Sequence, residues 1–217
     1  MKPRILIILC PVLIGLLSGC VTGRRSFDLA IPAASSYPQS ASLGPIAIGE
    51  IRDLRQFQNH PDSPDTPSID GDVTLLSDQA RSKFIGRQRS GFGKAFGDVV
   101  LPAGGSVQEK IAALLREGLK RRGYSIADPA ATENTVSVDI NQFWGWMTPG
   151  IVALSFEADI RCRVTVTRGG KRVTFRVRGY GLNHGQFAKD VNWQEAYDIA
   201  FNDFLNNLDD QLANAGF

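Results

Sequence analysis

Apolar residues recur at helical spacing in two stretches of the chain. The first begins at Ser106, which has capping-box spacing to Glu109, and ends at Gly123, a residue suited to a left-handed C-cap. The second opens at Asn192 with the same spacing to Glu195 and continues as a long apolar stripe. We therefore predict two amphipathic helices, each of which buries one side against another layer of the protein.

Apolar and polar residues alternate in four other stretches, a pattern typical of strands with one buried face. These stretches are residues 45–51, 136–140, 154–166 and 173–177. Residues 52–105 are rich in Gly and Pro without a clear period, so we predict a long loop region there. The order of elements predicts an α/β fold, an α+β-like sandwich, in a single domain over residues 44–217. A mixed or antiparallel sheet of about four strands would carry two amphipathic helices packed on one face.

The Gly169-Gly170 pair predicts a two-residue hairpin turn between the last two strands, because both residues can adopt positive φ. That turn would place Arg163 opposite Arg176 and Arg161 opposite Arg178. Like charges directly opposite each other are destabilising, so we expect something to offset them. One interpretation is an acidic partner: a protein surface, peptidoglycan stem carboxylates or lipid headgroups. The other is neutralisation within the chain by Asp139, Glu157 and Asp159.

Three aromatic residues before the long strand are candidates for a binding platform. Trp144 and Trp146 continue the parity of Val138 and Ile140, which predicts that both tryptophans are buried in the core. Phe143 has the opposite parity and is predicted to be exposed. The partner-binding candidates are therefore Phe143, Arg161, Arg163, Arg176 and Arg178.

Residues 1–19 have the organisation of a signal peptide. Lys2 and Arg4 precede an apolar run that is shorter than the roughly 20 residues of a membrane-spanning helix. The run ends in Leu-Ser-Gly-Cys, with Cys20 last, which resembles the lipobox of bacterial lipoproteins. That resemblance implies cleavage before Cys20 and its modification with acyl chains such as palmitate, which would anchor the mature chain in a membrane. Residues 20–43 are rich in Ser, Ala and Pro and are predicted to be a flexible tether.

The residue after the lipobox predicts the membrane. Position 21 is Val rather than Asp. By the same resemblance, Val21 is compatible with export to the outer membrane, where the domain would lie on the periplasmic face. The inner membrane is the alternative.

Charge and cysteine content narrow the class of partner. The chain holds 24 Lys and Arg against 22 Asp and Glu, and removal of Lys2 and Arg4 with the signal leaves 22 of each. A mature chain without net charge argues against a nucleic-acid partner bound through bulk charge. Because Cys10 leaves with the signal and Cys20 carries lipid, Cys162 has no intramolecular disulfide partner. Its apolar strand neighbours predict a small core residue.

No catalytic or cofactor motif is complete. The glycines around Lys94 lack P-loop spacing, with Gln88 where Gly is required. His60 and His184 accompany no Gly-x-Ser-x-Gly elbow, and hydrolysis would be favoured only if His184 lay within reach of Asp190 and a serine. We therefore predict a protein that is not an enzyme and that uses no cofactor or metal. Four loop aspartates do not match EF-hand spacing either: Asp62, Asp65, Asp70 and Asp72.

Residues 106–213, together with the lipobox, resemble the YajG-like family of bacterial lipoproteins. The resemblance rests on the helix ending at residues 122–124, the Val-rich strand before Phe143, the long strand into the Gly169-Gly170 hairpin, residues 180–185 and the closing helix. A more distant resemblance is to auxiliary lipoproteins of ABC-type envelope transporters. The YajG-like family implies a fold and a location, and offers no established catalytic residues.

We expect a membrane-anchored periplasmic lipoprotein that acts as a non-enzymatic binding or accessory module of the cell envelope. Its partners would be the membrane, through the lipid, and an envelope protein or peptidoglycan. The alternative is an auxiliary subunit of an ABC-type envelope transport system, which an apolar groove under residues 85–101 would favour. A periplasmic hydrolase is the third and least supported class.

Overall fold

The computed structural model describes residues 23–34, 43–89 and 94–217. The predictions for residues 1–22, including the signal peptide and lipidation of Cys20, lie outside these ranges. In chain order the elements are β1 (Arg25–Ser26), β2 (Gly44–Asp53), α1 (Asp78–Arg81), β3 (Phe84–Arg89), β4 (Ala95–Val100), α2 (Val107–Arg122), β5 (Tyr124–Ala127), β6 (Thr135–Pro149), β7 (Leu154–Arg168), β8 (Lys171–Gly185) and α3 (Asp190–Ala215).

The long strand β6 organises a mixed sheet. Along one edge it pairs with β7, which in turn pairs with β8, and both pairings are antiparallel. Along the other edge β6 pairs first with β2 and then with β3, both parallel to it. Strand β5 extends the sheet beyond β2, whereas β4 and then β1 extend it beyond β3. The mixed α/β class is confirmed.

The described residues form eight strands and three α-helices, more than the predicted four and two. Strands β3 and β4 lie in the region predicted as loop. All six residues of β3 are buried, including Arg87, Gln88 and Arg89. A strand buried on both faces shows no alternation, and these polar residues further hide it.

A β-bulge in β6 reverses the predicted side-chain directions. Ile140 pairs with Cys162 and Gln142 with Arg161, so Asn141 is an extra residue. Beyond it Phe143 turns to the face that carries the helices, where it is fully buried and stacks on Tyr197. The prediction of an exposed Phe143 is therefore wrong, and Phe143 is removed from the binding candidates.

The same bulge turns Trp144 and Trp146 to the opposite face of the sheet. Both are buried, as predicted, but in a second apolar cluster with Phe84 and Val100 rather than in the main core. The loop before α1 covers this cluster: Trp144 Nε1 donates to the Pro64 carbonyl at 3.3 Å.

Part of the predicted tether packs on the domain. Strand β1 pairs with β4, and the Phe27 and Leu29 side chains that follow β1 are buried in the main core. Lys110 of α2 donates to the Leu29 carbonyl at 2.7 Å. Residues 23–34 are therefore part of the domain. The sequence did not predict this, because Phe27 and Leu29 are isolated apolar residues in a Ser- and Pro-rich stretch.

The two predicted helices are present, with one difference at an end. Helix α2 is capped by Ser106, whose Oγ accepts from the Glu109 amide at 3.2 Å, and it ends at Gly123 with φ of 98°. Helix α3 begins at Asp190, two residues before the predicted Asn192, and has no side-chain cap. The side-chain Nδ2 of Asn192 instead donates to the Phe187 carbonyl at 2.7 Å.

Helix α3 packs directly on β8 because two glycines leave room for its backbone. A Cβ at Gly179 would lie 2.2 Å from the Ala200 carbonyl oxygen, and one at Gly181 would lie 2.0 Å from that of Ala196. This close approach seats α3 on the helix face of the sheet. The opposite face of β7 and β8 is left uncovered at the end nearest the hairpin turn.

Candidate functional site

The β7–β8 hairpin has the predicted register. Gly169 and Gly170 both have positive φ, at 55° and 77°. Arg163 pairs with Arg176, and Arg161 pairs with Arg178 two residues further along the hairpin. The exposed arginines on this face of the hairpin are called the arginine face: Arg161, Arg163, Arg172, Arg176 and Arg178. Arg172 was not among the predicted residues, although the same register rule places it here.

One buried carboxylate binds two of the five arginines of the arginine face. Asp159 is fully buried and accepts from Nε and Nη2 of Arg178 at 3.0 and 3.1 Å. It also accepts from Arg161. The hydrogen bonds that Arg178 donates to Asp159 are the main reason that the pKa of Arg178 lies above its usual value. For this pair, neutralisation within the chain is the correct interpretation.

The other arginines have no such partner. Asp139 is the β6 neighbour of Arg163, but its Oδ1 accepts from Nε and Nη2 of Arg52 at 2.7 and 2.6 Å. Every Asp and Glu of the chain lies within the described ranges. None of these carboxylates lies within ion-pair distance of Arg163, Arg172 or Arg176. Three like charges therefore remain unneutralised on one open face.

A shallow depression of about 220 Å³ lies beside Arg163 and Arg172. Thr165 lines it and is bonded across the hairpin to Thr174, 3.0 Å away. Glu50 also lines this depression, so its rim mixes both charge signs. The surface is thus polar and, along the hairpin side, positively charged.

The arginine face ends where the second apolar cluster begins. Glu157, a predicted neutralising acid, accepts from Trp146 Nε1 at 3.1 Å and from the Tyr180 hydroxyl at 2.5 Å. Burial, and then this bond to Glu157, raises the pKa of Tyr180 to about 12. Glu157 therefore organises the aromatic cluster and pairs with none of the described arginines.

The histidines do not assemble into a triad. His184 Nδ1 lies 3.3 Å from Ser155 Oγ, as neighbours across β7 and β8. Asp190, however, binds Arg25 at 2.5 Å. Within the described residues no carboxylate bonds to His184, so nothing orients its ring as a triad requires. His60 lies apart on an exposed loop.

The structure also shows where Cys162, the loop residue Asp72 and residues 85–101 lie. Cys162 is buried in the main core, as predicted. Asp72 caps the short 3-10 turn at Val73–Leu75, and the part of the chain that the structure describes holds no group of three or more His, Cys, Asp or Glu side chains suited to a metal. Ile85 and Leu101 are buried in the main core, so β3 and β4 form core packing where an apolar groove was considered.

Comparison with known protein families identifies the chain as similar to lipoproteins. A family model described as uncharacterized lipoprotein matches residues 81–215. The comparison with curated protein sequences found no match to the chain. None of the helices in residues 23–34, 43–89 and 94–217 is long and apolar enough to cross a membrane.

Several crystal structures are similar at low identity. Protein XCC0632 from Xanthomonas campestris has a TM-score of 0.49 at 8% identity, over 89% of this chain and 96% of that one. Protein CT253 from Chlamydia trachomatis has a TM-score of 0.39 at 10% identity, over 78% and 95%. Lipoprotein GNA1162 from Neisseria meningitidis has a TM-score of 0.25 at 13% identity, over 79% and 99%. The assignment rests on the sequence match: the chain belongs to the family described as uncharacterized lipoprotein.

Proposed function

We propose that the chain is a lipid-anchored, non-enzymatic accessory module of the cell envelope that docks to an acidic protein through its arginine face. The observation that carries this proposal is the pair Arg163 and Arg176, which face each other without a carboxylate partner. Such a pair lowers the stability of the free protein by less than about 1 kcal/mol. Carboxylates on a partner would remove that cost and add charge-assisted hydrogen bonds.

The geometry favours a protein surface over other acidic partners. Arg163 and Arg176 are directly opposite each other on neighbouring strands about 4.8 Å apart, and Arg172 lies four residues before Arg176 on β8, about 13 Å away. The three arginines form a row beside polar threonines. Arginines of this kind are enriched in protein interfaces, where their planar forks bind carboxylates.

The anchor in this proposal is the lipidated Cys20, with the domain on the periplasmic face of the outer membrane. Membership of a lipoprotein family supports the anchor. The finer resemblance to YajG-like lipoproteins, and Val21 after the lipobox, support the location.

The test is photo-crosslinking in growing cells, with the crosslinking residue at Thr174. This position lies on the arginine face and leaves every arginine in place. The crosslinker is introduced into the wild type, into the double variant Arg163→Gln/Arg176→Gln, and into a control, Arg116→Gln/Lys120→Gln. The control loses the same charge from exposed positions on α2.

We expect one dominant protein adduct in the wild type and in the control, and its loss in the arginine-face variant at equal protein level. An adduct that persists in that variant, or one that contains peptidoglycan fragments, would contradict docking to an acidic protein. If the adduct is a transporter subunit, the accessory role becomes the auxiliary role implied by the more distant resemblance.

A further inference from the structure

A polar pocket lies between β3 and the loop that precedes α1. Its volume is about 370 Å³, and its polar lining consists of His60, Ser68, Asp70, Arg87, Arg89 and Lys94. The pocket is separate from the arginine face, which lies on β7 and β8. Both of its arginines are buried, which is costly for a charged group unless a counter-ion accompanies it.

Arg89 has no counter-ion. It is 9% exposed, and within the described residues its guanidinium donates only to neutral acceptors, the Pro61 carbonyl at 3.1 Å and Ser68 Oγ at 2.8 Å. Its Nε has no hydrogen-bond partner among the described residues. Those residues include every carboxylate side chain of the chain, and none lies within ion-pair distance. Burial, and then the charge of Arg87, lowers the pKa of Arg89.

Arg87 is only partly neutralised. Its Nη atoms lie 3.5 Å from Asp70 and 3.8 Å from Asp98, and its Nε also lacks a partner within the described ranges. Asp98 is shared, because it lies 3.6 Å from Arg24 and accepts from the Asp70 amide at 3.0 Å. The pocket therefore holds two neighbouring buried guanidinium groups with unused donors and incomplete compensation.

The third buried arginine shows what a completed site looks like in this protein. Arg55 is 1% exposed, and its guanidinium donates to both carboxylate oxygens of Asp53 and to main-chain carbonyls. Arg89 is buried in a similar way but lacks the carboxylate. The difference indicates that the counter-ion of Arg89 comes from outside the chain.

The pocket also lies close to the start of the mature chain. The Gly23 amide donates to the Phe96 carbonyl at 2.9 Å, and Gln88, between the two pocket arginines, donates to the Gly23 carbonyl at 3.1 Å. Cys20 is three residues before Gly23, a distance of at most about 11 Å along the chain. A lipid on Cys20 would hold this edge of the sheet beside the phospholipid headgroups.

We propose that this pocket binds a phosphate group and that the phosphate belongs to a phospholipid headgroup. Arg87, Arg89 and Ser68 all line the pocket and carry several N–H and O–H donors between them, a number that suits the several oxygens of a phosphate better than the two of a carboxylate. The proposal adds a site to the proposed docking function. Only the lipid source of the phosphate depends on the anchor at Cys20.

The test uses the mature lipidated protein in a neutral detergent, with binding measured by calorimetry at constant ionic strength. Three compounds are titrated: inorganic phosphate, dihexanoyl phosphatidylglycerol and dihexanoylglycerol, which lacks phosphate. The variants are Arg89→Gln and a control, Arg116→Gln, which removes the same charge from an exposed position.

We expect both phosphate compounds to bind the wild type and the control, with the phospholipid tighter, and dihexanoylglycerol not to bind. Arg89→Gln should weaken both by roughly ten- to hundredfold, the effect of losing a charge-assisted hydrogen bond. Its thermal midpoint in the absence of phosphate should be unchanged or higher, because a buried unpaired charge is removed. That measurement separates loss of binding from loss of folding.

Binding of inorganic phosphate without a preference for the phospholipid would support the pocket and assign it to free phosphate. Absence of binding by both phosphate compounds, or equal binding by Arg89→Gln, would overturn the proposal. The Arg163→Gln/Arg176→Gln variant should bind phosphate as the wild type does, and Arg89→Gln should keep the crosslinked adduct at Thr174. Failure of either proposal is thereby distinguished from failure of the other.

Discussion

Arg55 and Asp53 form a bidentate ion pair, with Nε–Oδ1 at 2.8 Å and Nη2–Oδ2 at 2.7 Å, at the point where β6 exchanges β2 for β3 as its neighbour. A strand that changes neighbours leaves main-chain carbonyls without a ladder partner. Arg55 donates to the Phe84 and Phe143 carbonyls at 2.6 and 3.0 Å. The guanidinium thus satisfies the main chain of both halves of the sheet.

Arg55→Gln should lower the free energy of unfolding by about 3–5 kcal/mol, because it leaves a buried carboxylate and several carbonyls without donors. The matched control is Arg52→Gln, three residues earlier. Arg52 also binds an aspartate, Asp139, but its side chain is 54% exposed, and loss of an exposed pair costs about 1 kcal/mol or less. Urea unfolding of the mature protein measures both, and similar losses would contradict the role assigned to Arg55.

Gly181→Ala should destabilise the seating of α3 on β8. The added Cβ would lie 2.0 Å from the Ala196 carbonyl oxygen, so the helix backbone would have to move. We expect a loss near the upper end of the ~1–3 kcal/mol typical of overpacking. Leu182→Ala, the next residue on the other face of β8, is the control and should cost less because Leu182 is partly exposed. Thermal unfolding followed by circular dichroism distinguishes the two variants.

Arg163→Gln and Arg161→Gln should have opposite effects on stability, although both remove one arginine from β7. Removal of Arg163 relieves repulsion from Arg176 and should raise the free energy of unfolding by about 0.2–1 kcal/mol. Removal of Arg161 loses a hydrogen bond to the buried Asp159 and should lower the free energy of unfolding. Added salt should reduce the gain from Arg163→Gln, because salt screens exposed charges. A loss of stability in Arg163→Gln would show that Arg163 is neutralised in the folded chain.

The stability of the protein should fall at alkaline pH through Cys162. Burial raises the pKa of this thiol, so it stays protonated in the folded chain, whereas the unfolded thiol ionises near pH 8.5. The protonated thiol therefore makes its full contribution to the free energy of unfolding below that pH. Above it, this free energy falls by about 1.4 kcal/mol for each further pH unit. The part of the slope between pH 8.5 and 10 that comes from this thiol should be absent in Cys162→Ala. Denaturation at pH 7 to 10 measures it, and equal slopes in both proteins would contradict the prediction.

Local rules predicted the hairpin well, because its turn and register depend on residues close together in sequence. Gly169-Gly170 accounts for the turn, and the pairing of Arg163 with Arg176 follows from it. The bulge at Asn141 was not predictable in this way. Its extra residue is defined only by the pairing of β6 with β7, and it decided that Phe143 is buried.

The pocket arginines were missed for a related reason. Arg87 and Arg89 flank Gln88 in a polar run that reads as loop, and only the fold shows that this run is a buried strand. Three consecutive polar residues with long side chains between apolar stretches are the signal that was present. Whether such a run is solvated or buried depends on long-range pairing, here between β3, β4 and β6.

The strand β6 also determines how tension would pass through the molecule. An anchor on Cys20 would pull at Gly23 and therefore on β1 and β4, whereas a partner on the arginine face would pull on β7 and β8. The connection between these two points runs through β3 to β6 and then to β7. The bonds between β6 and β7 lie side by side along nearly fifteen residues of each strand, so a pull along the strands strains them together rather than one at a time. Under such a load the strain would be shared along the β6–β7 pairing instead of falling on one bond.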